Sequence, residues 1–160
     1  MNNENNSRTK INMEPGHISS TGFKGKDRRS ISEIIEQDKE IVKRYNSTCS
    51  EIASALSFLK KEGEKGMGKS TIVDNIYEVT VDENRGFISC PFDTSNRFRK
   101  ININVKKLTT KETILFSDLS LHLIDKHCFF QGKGARFRLE PEKLLTFLED
   151  FFKNEKKSKN

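Results

Sequence analysis

The sequence predicts an α+β fold: a small, mainly antiparallel four-stranded sheet with helices packed on one face, in the order ααβββαβα. Three observations carry this. Two capping boxes open helical stretches before residue 63. Period-two runs rich in β-branched residues, punctuated by turn residues, occupy much of residues 71–106. Two further apolar stretches at helical spacing close the chain, with a short strand between them.

The first helix starts at Ser30, whose hydroxyl suits the N-cap while Glu33 completes a capping box. Ile31, Ile34, Ile35, Val42 and Tyr45 then mark one face. Thr48 and Glu51 repeat the box for a second helix, with Ile52, Ala55, Leu56 and Leu59 on one side and Gly63 at its expected end. A first strand is expected at 71–81, a turn at 82–86, a second strand at 87–92 and a turn at 93–96. A third strand, 98–106, turns Ile101, Ile103 and Val105 to one face and Phe98, Lys100, Asn102 and Asn104 to the other. Thr109 and Glu112 read as a third capping box, opening an apolar core helix to about residue 130. Residues 135–139 read as a short fourth strand with Arg136 and Arg138 outward. Pro141 then opens a last helix striped with Leu144, Leu145, Leu148, Phe151 and Phe152.

The ends differ from this body. Residues 1–29 carry little apolar periodicity and many Asn, Ser, Gly, Lys and Arg, which predicts a disordered basic N-terminal arm. Residues 154–160 predict a disordered Lys-rich tail, leaving 30–153 as a single domain. The chain of 160 residues is 33% hydrophobic and 32% charged, with a formal net charge of +6. That excess suits an acidic partner, either nucleic acid or an acidic protein. No apolar run is long enough to span a membrane, and the first residues lack a secretory pattern, so a cytoplasmic location is expected, with export by a signal-less route left open.

Residues 63–70 match the phosphate-binding pattern Gly-x-x-x-x-Gly-Lys-Ser/Thr by letter. A working loop of that kind follows a buried strand and opens a helix, so that amides and the helix dipole meet the phosphates. Here the predicted order is helix, loop, strand. The match therefore supports only phosphate contact, with Lys65, Gly66, Gly68, Lys69 and Ser70 as candidates.

The three cysteines, Cys49, Cys90 and Cys128, are far apart and odd in number, and read as buried free thiols. His122 sits four residues after Asp118 and reads as a structural histidine bonded to it; no metal and no cofactor are expected. Distant positions such as Cys90 and His122 could assemble a thiol–imidazole pair, but no catalytic set stands out, and no enzymatic activity is assigned.

The most suggestive pattern is basic and aromatic. Arg97, Phe98, Arg99 and Lys100 open the third strand, and Arg136 and Arg138 flank Phe137. Such side chains on a sheet can hold phosphates and stack bases, assisted by Lys24, Lys26, Arg28 and Arg29 of the arm. The expected function is accordingly non-enzymatic binding of nucleic acid. An alternative is a protein-interaction module (an adaptor, effector or immunity-type factor), docking through an edge strand or the first helix. A nucleotide-binding protein using the 63–70 loop comes third.

Overall fold

The computed structural model describes residues 3–158. It is an α+β fold whose four-stranded antiparallel sheet runs β1-β2-β3-β4 in sequence order. The helices are α1 (Asn3–Met13), α2 (Ile31–Arg44), α3 (Cys49–Glu64), α4 (Asp118–His127), α5 (Pro141–Phe147) and α6 (Glu149–Ser158). The strands are β1 (Thr71–Val73), β2 (Tyr77–Ser89), β3 (Arg97–Lys107) and β4 (Thr113–Ser117). No helix among the described residues is long and apolar enough to cross a membrane.

Local signals place α2 and α3 as expected. The Ser30 hydroxyl accepts from the Glu33 amide at 3.2 Å and that of Thr48 from the Glu51 amide at 3.1 Å, each satisfying a helix-start donor. Pro141 sits in the first turn of α5, where its missing N–H costs nothing. The sheet buries one face: Tyr77, Val79 and Val81 of β2, Ile101, Ile103 and Val105 of β3 and Phe116 of β4 pack with Ile52, Leu56 and Leu59 of α3. Gly63 lies inside α3 rather than at its end, and its role is close approach. A Cβ there would stand 2.4 Å from Val79 Cγ1, so only glycine lets the helix settle on β2.

The β-meander is cut differently from the expectation. Residues 71–81 are not one strand, because Asp74 and Asn75 both take positive φ (54° and 59°) and reverse the chain between β1 and β2. Residues 82–86 are not a reversal. β2 runs through them with an irregularity between Asn84 and Phe87.

Two further elements are corrected. Residues 113–117 form an edge strand on β3, pairing Phe116 with Ile103 and Ile114 with Val105, instead of opening a helix. Burial beside β3 overrides the helical reading of a short apolar run. The cap of α4 is Ser117, bonded to the Ser120 amide at 3.2 Å, not Thr109. Residues 135–139 form turns, not a strand, with Arg138 donating its amide to the Ala135 carbonyl at 3.1 Å.

The N-terminal segment is packed where an arm was expected. Met13 and Phe23 are buried in a second cluster with Ile34, Cys90, Leu119, Leu123 and Phe129. The Gly132 amide donates to the Phe23 carbonyl at 2.9 Å and the Lys26 amide to the Lys133 carbonyl at 2.9 Å. A Cβ on Gly132 would meet the Lys24 carbonyl at 2.1 Å, so backbone lies against backbone there. At the other end α6 extends through most of the expected tail, to Ser158. Residues 1–2 and 159–160 of the expected arm and tail lie outside the described residues.

The cysteine expectation also changes. Cys49, at the start of α3, and Cys128, just after α4, are joined by a disulfide with Cα atoms 5.5 Å apart, and only Cys90 is free. Both half-cystines lie where capped helix ends meet, a proximity that spacing along the chain does not reveal.

Candidate functional site

The basic and aromatic surface gathers at the outer end of the β2–β3 hairpin. Beyond the irregularity at Asn84/Phe87, Phe87 pairs with Arg99, Ile88 with Phe98 and Ser89 with Arg97. Phe87 is 55% exposed, unusual for a large aromatic. The Arg97 guanidinium lies over its ring, 5.0 Å from the centroid. Arg97, Arg99 and Lys100 are exposed, as is Arg85 on the facing strand. Asp82 and Glu83 are exposed on the same hairpin, so the surface is mixed but cationic at its tip. A shallow groove there is lined by Glu83, Asn84, Arg85, Gly86, Phe87, Arg99 and Ile101.

Phe98 is not the free aromatic. It is half-buried in the second cluster, its ring 4.6 Å from the His122 ring. Phe87 holds the exposed position instead. Sequence reasoning missed it because it fell next to an apparent turn.

Arg136 is exposed and lies over Phe137, 4.9 Å from the ring centroid. Arg138 turns inward, a correction to its reading as a binding residue. Its Nη atoms bond Asp38, Glu140 and the Gln131 carbonyl, and its Nε bonds Glu140, so all five donors have protein acceptors. Burial opposes the Arg138 charge, but these carboxylates outweigh it and hold the group protonated. Among the arm cations, Arg29 is tied to Asp27 at 2.6 Å and to Gln37 at 2.7 Å.

The 63–70 loop is not shaped for phosphate. It follows the C-terminus of α3, the negative end of the helix dipole. The amides of Lys65, Gly66, Met67 and Lys69 donate to the carbonyls of Glu62, Gly63, Glu64 and Gly66 at 3.0–3.3 Å. Lys65 is paired with Glu62 at 2.9 Å. Gly68, Lys69 and Ser70 are exposed, but the loop offers no nest of free amides. A three-residue strand, not a helix, follows Ser70.

The fold brings together a third group. Cys90, just past β2, meets His122 and His127 of α4; one donor atom from each lies within 4.8 Å of the others. Cys90 Sγ is 3.7 Å from His127 Nε2. The rings are held by aromatic neighbours, Phe92 stacking on His127 at 4.2 Å and Phe98 against His122. Asp118 does not orient His122. Its Oδ1 is 2.5 Å from Lys60 Nζ, an ion pair by distance without a well-directed hydrogen bond, and His122 Nε2 is buried without a hydrogen-bond partner. Burial pushes the Cys90 thiol up and both imidazoles down from their ordinary values, so all three are neutral near pH 7.

Compared with protein-family models, curated proteins and solved structures, the chain matches none.

Proposed function

We propose that this chain is a non-enzymatic binding protein that holds single-stranded nucleic acid on the outer end of the β2–β3 hairpin. The observation that carries the reading is the exposed Phe87 ring, backed by Arg97 and set opposite Arg99. A base stacks on an exposed ring whatever its identity, while the guanidinium groups and Lys100 meet the backbone phosphates. Arg136, exposed on its own turn, is a further phosphate contact. Arg138 takes no part in this reading, since its donors are committed within the fold, and the 63–70 loop is left out because four of its amides are bonded to nearby carbonyls and it follows the negative end of α3.

Fluorescence anisotropy with a short labelled RNA and the same sequence as DNA tests it. Phe87→Ala is expected to weaken binding by about 1–3 kcal/mol through loss of stacking. Binding unchanged by that substitution, yet displaced by an acidic peptide, favours the second reading, an interaction module for an acidic protein served by the same exposed cations.

A cytoplasmic location goes with the nucleic-acid reading. The Cys49–Cys128 bond stands against it, because disulfides persist in oxidising compartments.

A further inference from the structure

We propose that Cys90, His122 and His127 form a binding site for a thiophilic transition-metal ion, zinc being the best suited. The donor set is one sulfur and two imidazoles, the mixture that borderline-soft zinc selects. The spacing fits. Tetrahedral zinc, with bonds of about 2.3 Å to sulfur and about 2.0–2.1 Å to nitrogen, holds those two donors about 3.6 Å apart. Cys90 Sγ and His127 Nε2 stand 3.7 Å apart, and the three donors all lie within 4.8 Å of one another.

Two further observations point to a ligand. His122 Nε2 is buried and has no hydrogen-bond partner, which is rare for a polar atom in a folded chain. The two imidazoles are also fixed before any ion arrives: Phe92 stacks on His127, and Phe98 packs on His122. Leu119, Leu123 and Phe129 pack around the Cys90 side of the group, keeping much of it dry. A low-dielectric wall of this kind strengthens each metal–ligand bond.

The three residues come from two elements. Cys90 directly follows β2, and its amide donates to the Asn96 carbonyl at 2.9 Å across the turn into β3. Both histidines belong to α4. A bound ion therefore ties the β2–β3 turn to α4 and braces the hairpin that carries Phe87 and Arg97. Binding takes the thiol as thiolate, releasing its proton, and both imidazoles neutral. Three protein ligands leave a fourth position for water. The site stands or falls separately from the hairpin's ligand.

Cobalt(II) is the probe. The full chain is stripped with a chelator, without reductant, and titrated with cobalt(II) and then zinc(II). We expect one equivalent to bind, with a thiolate-to-cobalt charge-transfer band in the near ultraviolet and tetrahedral d–d bands in the visible, both bleached by zinc. Because Cys49 and Cys128 are paired, the thiolate band reports Cys90 alone. Cys90→Ser is expected to abolish that band, and Cys49→Ser with Cys128→Ser to keep it. Zinc is expected to raise the thermal midpoint of the wild type but not of His127→Ala. No thiolate band from the wild-type chain, or a band that survives Cys90→Ser, would overturn the proposal without relying on any variant that fails to fold.

Discussion

Arg138 and Asp38, one hundred residues apart, form a buried two-pronged ion pair that ties the turn before α5 to the middle of α2. Their side chains are only 6% and 2% exposed. Removing Asp38 leaves the buried Arg138 guanidinium with two unmet donors and only the part-exposed Glu140 as counter-charge, a costly case for an interior pair. Asp38→Ala is expected to lower unfolding free energy by about 3–5 kcal/mol in urea denaturation. A loss below about 1 kcal/mol, the range of exposed pairs, would show that water reaches the site.

Gly63→Ala tests the helix–sheet contact. Alanine is the better helix former by about 1 kcal/mol in an open helix. Here its Cβ would run into Val79 and Val81, so overpacking dominates and a net loss of about 1–3 kcal/mol is expected. A stabilised variant would place α3 farther from β2.

The Cys49–Cys128 bond spans 79 residues. Thiol titration of the denatured, unreduced chain is expected to find one thiol, from Cys90, and three after reduction. Reduction is expected to lower stability by about 2–5 kcal/mol. Three thiols before reduction would contradict the pairing.

Acid stability reports the packed N-terminal segment. The Arg29 guanidinium and the amides of Lys133 and Arg29 hold the Asp27 carboxylate well below its ordinary 3.8, against its partial burial. Its folded pKa is depressed, so its contribution is whole above about pH 4 and is lost as pH falls through the folded value. Asp27→Asn is expected to flatten the stability loss below about pH 4. An unchanged acid limb would mean that Arg29 and the Lys133 amide do not hold the Asp27 carboxylate in the folded chain.

The correctly anticipated parts of the fold are local ones. Ser30 with Glu33 and Thr48 with Glu51 mark helix starts because the cap bonds span three residues. The alternation of Ile101, Ile103 and Val105 exposes the sheet's buried face for a similar reason. Residues 113–117 misled because a short apolar run has no periodicity of its own, and only the open edge of β3 makes it a strand. The packing of residues 22–27 rests on backbone bonds to 132–133 and on the one buried ring of Phe23, too little to make a hydrophobic pattern. In the candidate site, Arg97, Arg99 and Lys100 were legible as a charge run, whereas Arg138 was indistinguishable from them until Asp38 lay against it. The meeting of Cys90, His122 and His127 depends on β2 and α4 together. Cys90 and His122 could be named from the sequence as a pair that distant positions might assemble into one site, but nothing there pointed to His127 as a third member.

The salt dependence of nucleic-acid binding tests the central claim most directly. Anisotropy titrations of the wild type and of Arg97→Ala/Arg99→Ala/Lys100→Ala are made across a salt series with one labelled single strand. Each lost phosphate contact should lower the slope of log K against log salt by about 0.7, so the triple variant is expected to lose about 2 in slope. Absence of wild-type binding at low salt, or a triple variant with the wild-type slope, would contradict the assignment of the hairpin as the binding surface.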